Sequence, residues 1–278
     1  MDRSTKPMTR FMIFLVVLLA AILAFSHFLR RTGMFFPDRY PTGRWDRNAL
    51  MIVPTEHTFT TSDGVKLHAW RFDAKSPDAP VMIWFHGNAG NLTDRAEMAV
   101  EHAKRGISVF VFDYRGYGKS EGRASESKLF LDSEAAFDYV RGNGAKTIVL
   151  YGESVGGPYA AHVAKERKGL VRAVILENSF PSLKDMGNAI YKPLPLGWTA
   201  PFAMRTTAWL NEANVPVLVM HGTRDAVIPY ALGKKLYDGL RVPKEMLTSQ
   251  SAGHCEIPLF EAARYYDTVT RFVKKEPA

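Results

Sequence analysis

Thr147-Ile148-Val149-Leu150-Tyr151-Gly152-Glu153-Ser154-Val155-Gly156-Gly157 decides how this chain is read. A β-branched apolar run stops at Gly-x-Ser-x-Gly, and a small-residue helical pattern, Tyr159-Ala160-Ala161-His162-Val163-Ala164, follows it. Strand, sharp turn and helix form the setting in which this motif becomes a nucleophile elbow. The serine then sits at the apex of a strained turn with its hydroxyl projecting outward. Gly152 and Gly156 remove Cβ atoms that would collide as strand and helix close on each other. Without that setting the same letters would be a plain βα turn.

On either side, the same alternation repeats. A hairpin is expected from His57–Thr61 and Val65–Trp70 about the Ser62-Asp63-Gly64 turn. Apolar strands are expected at Val81–Phe85, Ile107–Phe112, Ala173–Leu176, Val217–Met220 and, more weakly, Met246–Thr248. Helical patterns lie between them at about 92–105, 127–140, 230–240 and 258–273. Continuous apolar strands alternating with helices imply a mostly parallel sheet covered on both faces. Ligands bind such sheets at the carboxyl ends of the strands, and the candidate chemical residues fall at those ends.

A serine hydroxyl needs a base within hydrogen-bond reach, and the base needs an acid to orient it. His254 is the expected base, on the glycine-flanked loop Ser251-Ala252-Gly253-His254 after the last strand. His27 lies in the N-terminal apolar run, His57 and His68 in the hairpin, and His102 and His162 on helices, while His86 and His221 read as turn-shaping residues. Asp225, in Gly222-Thr223-Arg224-Asp225-Ala226-Val227-Ile228-Pro229, is the expected acid, with Glu177 as the alternative and Asp113 as a structural carboxylate. Two N–H donors must meet the developing oxyanion. Val155 supplies one, and the loop His86-Gly87-Asn88-Ala89-Gly90-Asn91 supplies the other through Asn88, with Ala89 second. No metal-ligand spacing and no cofactor fingerprint occurs. Gly118-Lys119-Ser120 lacks the leading glycine of a phosphate loop, a position held by Asp113. Cys255, the single cysteine, reads as a free thiol.

The 278 residues and 46% apolar content suit one large α/β domain. Of the net charge of +8, residues 1–47 hold eight Lys/Arg against three Asp, a net +5 that leaves +3 for the rest. The basic character therefore belongs to the N-terminal segment, and a nucleic-acid face is not expected. Phe11 to Leu29 runs almost wholly apolar between Arg10 and Arg30-Arg31; as a helix it would span about 28 Å, close to a bilayer core. The expectation is an N-terminal transmembrane anchor over residues 1–31, with a cleaved signal peptide, ending near Ala24-x-Ser26, as the competing reading. Arg30, Arg31, Arg39, Arg44 and Arg47 argue for one orientation and the three positive residues before the span argue for the other. Residues 32–56 read as a stalk and entry segment, and 57–278 as the catalytic domain. Within it, 181–214 reads as irregular: a lid-like insertion with Met186, Ile190, Tyr191, Leu194, Leu196, Trp198, Phe202, Met204 and Trp209 as an apolar wall, or a helix and loop packed on the body.

Taken together, His86–Asn91, Phe112–Ser120, Gly152–Gly157, His221–Asp225 and Gly253-His254 resemble the α/β-hydrolase superfamily, and within it the membrane-anchored serine hydrolases that include acyl-protein thioesterases and lysophospholipid or monoacylglycerol lipases. The resemblance covers about residues 57–275. It implies an α/β-hydrolase fold, a Ser154-His254-Asp225 triad, and hydrolysis of a carboxylic ester or thioester of a small-molecule or lipid acyl substrate through an acyl-enzyme. An amide-cleaving, aminopeptidase-like enzyme would use the same triad. A non-catalytic interaction protein would be expected to have lost a triad member or an oxyanion glycine, and this chain keeps all of them.

Overall fold

The structure, a computed structural model, describes residues 5–32, 35–190 and 204–275. Its centre is an eight-stranded sheet. In chain order the strands are β1 (Thr55–Thr60), β2 (Lys66–Phe72), β3 (Val81–Phe85), β4 (Ser108–Phe112), β5 (Ile148–Glu153), β6 (Ala173–Glu177), β7 (Val217–Gly222) and β8 (Lys244–Ser249). In space they run β8-β7-β6-β5-β3-β4-β2-β1. The β1–β2 and β2–β4 pairs are antiparallel, as the Asp63-Gly64 turn requires for the first, and all other pairs are parallel. β3 sends the chain to β4 on one side, and β5 pairs on its other side. This is a topological switch point, which opens a crevice at the carboxyl ends of β3 and β5.

Period-2 alternation sorts the strand side chains onto two cores. Val81, Ile83, Phe85, Ile148, Leu150, Val174 and Leu176 face one side. Met82, Trp84, Val149, Tyr151 and Ile175 face the other. Each such fully buried side chain contributes about 1.5–3 kcal/mol, so a one-residue slip of register would be prohibitive. The helices are α1 (Thr5–Thr32), α2 (Ala96–Lys104), α3 (Lys128–Gly142), α4 (Gly156–Glu166), α5 (Leu183–Ile190), α6 (Thr206–Ala213), α7 (Tyr230–Gly239), α8 (Ile257–Phe260) and α9 (Ala262–Lys274). α3, α4, α6 and α7 cover the first core; α2 and α9 cover the second. In α9 the buried residues Tyr265, Tyr266, Val269, Phe272 and Val273 recur at helical spacing, which makes one apolar stripe.

Three expectations change. The 181–214 stretch is not irregular where it is described. Ser182 accepts from the Asp185 N–H at 3.1 Å to start α5, and Asn214, at φ 55°, closes α6. The prolines at 193, 195 and 201 hide these flanking helices in the sequence. Met204 is buried and Trp209 packs on Phe130 and His162, so these two expected lid residues face the body. Tyr191, Leu194, Leu196, Trp198 and Phe202 lie outside the described residues. The last helix is broken into α8 and α9 at Glu261, whose φ,ψ of −136°, 45° is not helical. The stalk and entry segment, finally, packs against the domain over 35–56, as an entry segment does and a free stalk does not. Phe35 packs on the core, Phe36–Pro37 pairs with Ala89–Gly90, and the Trp45 ring lies 5.7 Å from Trp70.

α1 is a single helix across the apolar run. The residues of α1 whose side chains are described, 8–21 and 24, are exposed on every side; Phe11, Ile13, Phe14 and Val16 are each at least 58% exposed. Among the described residues no helix is long and apolar enough to cross a membrane, so the transmembrane helix expected over 1–31 is not found among them.

Candidate active site

The elbow is built by close approach. A Cβ on Gly152 would lie 2.5 Å from the Gly157 Cα, and one on Gly156 would lie 1.9 Å from the Phe85 carbonyl oxygen. Only glycine lets α4 start this close to β5 and β3. Ser154 itself sits at φ 55°, a left-handed conformation that costs a non-glycine residue about 1–3 kcal/mol. Its N–H donates to the Glu177 carbonyl at 2.8 Å, so the end of β6 holds the strained residue in place.

Three of the sequence-predicted residues form one hydrogen-bonded line. The Ser154 hydroxyl lies 3.1 Å from His254 Nε2, and His254 Nδ1 lies 2.9 Å from Asp225 Oδ2. With an ionised carboxylate as acceptor, Nδ1 carries the proton and Nε2 is left to accept from the serine. Asp225 is ionised for a reason visible around it. Burial opposes its charge, but side-chain hydrogen bonds from His221, His254 and Asn178 outweigh burial and hold the carboxyl well below the usual carboxylate range. Asn178 Nδ2 donates to Oδ2 at 2.5 Å, and the N–H groups of Val227 and Ile228 both donate to Oδ1 at 2.8 Å. Chemically, the line lets an imidazole take the serine proton while a fixed carboxylate stabilises the imidazolium.

Asn178 and His221 were not among the predicted site residues. Asn178 follows β6 at φ 48° and also donates to the Gly253 carbonyl at 3.2 Å, so it ties the acid to the histidine loop. His221 Nε2–H donates to the Ile228 carbonyl at 2.9 Å and lies 3.3 Å from Asp225 Oδ2. It shapes the turn, as expected, and also supports the acid. The available signal for Asn178 was an asparagine, which tolerates the left-handed region, directly after a strand end. Gly253 is pinned from its other side, since its N–H donates to Glu256 Oε2 at 3.0 Å.

Glu177, the alternative acid, is absent from this line. Its side chain points to the opposite face of the sheet, where it accepts from the Tyr151 hydroxyl. Burial pushes its carboxyl up to about 8, and Glu153 nearby adds to the rise. Asp113 is fully buried and accepts from the Leu92 N–H at 2.8 Å, a structural role as expected. Burial raises the Cys255 thiol well above its ordinary value, which leaves it a protonated, weakly nucleophilic neighbour of His254.

Of the two expected oxyanion donors, Val155 directly follows the serine and Asn88 lies one residue beyond Gly87. Val155 caps the N-terminus of α4, where the first helical N–H groups have no intrahelical partner. A Cβ on Gly87 would lie 3.6 Å from Ser154 Cβ. The 88–91 loop is locked to the elbow by Arg95. Its guanidinium bonds Glu153 at 2.5 and 3.1 Å and donates to the carbonyls of Ala89 and Asn91, each at 3.2 Å. Burial opposes the Glu153 charge, yet Arg95 beside it holds the carboxyl down at about 2. A cavity of about 340 Å³ opens between this loop and Cys255, with Arg95, Glu153 and Glu177 in its wall.

A serine on a strained strand-to-helix turn, with aspartate and histidine on the later strand ends of a doubly covered parallel sheet, defines the class: an α/β-hydrolase-type site. Comparison with known proteins agrees. The profile of a family described as serine aminopeptidase, S33, matches residues 75–207, and one described as TAP-like protein matches 192–275. Protein bem46 of Schizosaccharomyces pombe is 33% identical over 74% of this chain and 73% of its own. The alpha/beta hydrolase domain-containing protein WAV2 of Arabidopsis thaliana is 32% identical over 81% and 80%. A solved Pyrococcus furiosus esterase superposes with a TM-score of 0.70 at 23% identity, covering 87% of this chain and 98% of that one. The chain belongs to the α/β-hydrolase superfamily.

Proposed function

We propose that this protein is a serine hydrolase that cleaves a carboxylic ester or thioester of an acyl substrate through a covalent acyl-enzyme. The observation that carries the reading is the Ser154-His254-Asp225 line, 3.1 and 2.9 Å long, on a serine held at φ 55°. In this reading His254 takes the Ser154 proton as Oγ attacks the acyl carbon. The N–H groups of Val155 and Asn88, or of Ala89 in place of Asn88, receive the oxyanion. The protonated His254 then gives its proton to the departing alcohol or thiol. Water, deprotonated by the same imidazole, releases the acid and frees the serine. Each step balances within the triad and needs no cofactor.

The serine aminopeptidase profile favours a second reading, cleavage of an amide next to a free amine. Such a site needs an unpaired carboxylate for the ammonium. Of the carboxyl groups in the cavity wall, Glu153 and Asp94 are both paired with Arg95, and Glu177 is protonated at neutral pH, which supports the ester reading. The apolar sequence of 191–203, with Leu194, Leu196, Trp198 and Phe202, supports an acyl-chain substrate. Nitrophenyl esters of increasing chain length, assayed beside aminoacyl nitroanilides, test this. A pre-steady-state burst and a kcat/KM that rises from acetate to medium-chain esters are expected; preference for the anilides would overturn the reading.

We further propose that the N-terminal segment 1–31 holds the enzyme at a membrane. The support is a helix over the uncharged run Phe11–Leu29 whose described side chains rest on nothing in the body. A water-soluble helix would show a polar face. The full chain should stay with membranes on sedimentation, and its recovery in the soluble fraction would contradict the proposal.

A further inference from the structure

The segment that leaves α1 is wired into the loop that carries the second oxyanion donor. The Phe36 N–H donates to the Asn88 carbonyl at 2.9 Å, and the Asp38 N–H donates to the Gly90 carbonyl at 3.1 Å. In return, the buried Asn91 side chain donates to the carbonyls of Asp38 and Thr42 at 3.1 and 2.8 Å. A second loop closes the clamp. The Gly118 N–H donates to the Asp38 carbonyl at 2.9 Å, the Tyr40 N–H donates to the Gly118 carbonyl at 3.0 Å, and the Tyr117 hydroxyl donates to the Asn88 carbonyl at 2.7 Å. One carbonyl, that of Asn88, therefore takes two donors from outside its own loop.

The peptide bond is planar, so fixing that carbonyl fixes the N–H of Ala89 on the opposite side of the same plane, and it restricts the backbone of Asn88. These are the two residues that could supply the second oxyanion donor. We propose that residues 35–42 form a positioning strap for the oxyanion loop, acting through the main-chain N–H of Phe36, with Tyr117 as a second positioning residue on the same carbonyl. This rests on the serine hydrolase reading above. The Phe36 ring takes no part, being more than half exposed. The strap starts at Phe35, three residues after the end of α1 at Thr32.

The test uses the full chain in detergent. Phe36→Pro deletes the N–H while keeping an extended backbone, Phe36→Ala deletes the ring and keeps the N–H, and Tyr117→Phe deletes only the hydroxyl. Ester kcat and the rate of fluorophosphonate labelling should both fall about tenfold in Phe36→Pro, with KM changed less than about twofold. Phe36→Ala should restore the wild-type rate, and Tyr117→Phe should fall several-fold in kcat alone. Equal kcat in Phe36→Pro and Phe36→Ala, or loss in KM rather than kcat, overturns the proposal. Should Phe36→Pro fail to fold, Tyr117→Phe decides, because an unchanged kcat there also overturns it. A folded wild type that is not labelled at all instead overturns the hydrolase reading on which this one stands.

Discussion

Two carboxyl groups lie buried at the ends of adjacent strands, Asp225 after β7 and Glu177 at the end of β6, and their ionisation is opposite. Burial raises the pKa of both. Asp225 meets three side-chain donors and two main-chain N–H groups, and stays charged. Glu177 meets one tyrosine hydroxyl, sits near the Glu153 charge, and rises to about 8, with its Oε1 lacking any partner. Burial alone therefore does not make an acid. Glu177 ends β6 on the face where Tyr151 lies, while Asp225 sits in the loop after β7 among Asn178, His254 and its own loop N–H groups. That placement decides which donors each finds. On the Glu177 residue the two roles separate: its carbonyl holds the Ser154 N–H, while its side chain belongs to the opposite core.

The comparison can be broken by exchanging charge for shape. Asp225→Asn keeps the shape but offers His254 no carboxylate, so the imidazole loses its required tautomer. Ester kcat should fall about 10³–10⁴-fold; a fall of less than tenfold would mean that Asp225 is not the acid. Asn178→Gly preserves the left-handed backbone and removes the donor that joins Asp225 to Gly253. About a tenfold fall in kcat is expected with Tm lowered by a few degrees, and unchanged kcat would reduce Asn178 to a turn residue.

Glu177→Gln is the smallest of the series. Ester kcat near pH 7 should stay within about twofold, because the native side chain is already neutral there. Its effect is on stability. The folded pKa, about 8, lies above the ordinary 4.5, so the folded state holds the proton more tightly than the unfolded chain. The stability this contributes is fully present below pH 4.5 and is lost as pH rises towards 8, by about 1.4 kcal/mol per pH unit. Thermal melts of wild type and Glu177→Gln should therefore diverge in favour of the glutamine between pH 5 and 8 and run parallel above it. Parallel curves throughout would show that Glu177 is ionised at neutral pH. Asp225 has the reverse sign: its folded pKa is depressed, so its contribution is present above about 3.8 and is lost only as pH falls through the folded value.

Much of this was legible in the chain because parallel strands are continuous apolar runs and the elbow demands glycines at fixed spacing. Ser154, Asp225 and His254 each follow such a run, so reading the strands located the site. The chain order Ser, Asp, His favours Asp225 over Glu177; what the sequence did not show is why Glu177 fails, which is that its side chain ends β6 on the face where Tyr151 lies. Asn178 acts through contacts with partners distant in sequence, and His221 through contacts inside a turn motif that hides them. The strap was missed for a related reason. Its pairing with Ala89–Gly90 is two residues long, too short for periodicity, and Pro37, Pro41 and Gly43 read as a loose connection. In 181–214 the prolines between α5 and α6 obscured two short helices.

The central claim is that Ser154 is an activated nucleophile. The most direct measurement is fluorophosphonate labelling of the full chain in detergent, with the modified residue mapped by peptide mass spectrometry, beside Ser154→Ala and His254→Ala. The account predicts one adduct, on Ser154, absent from Ser154→Ala and slowed at least about 10³-fold in His254→Ala. Labelling that survives in Ser154→Ala, or a folded wild type that stays unlabelled, would contradict it.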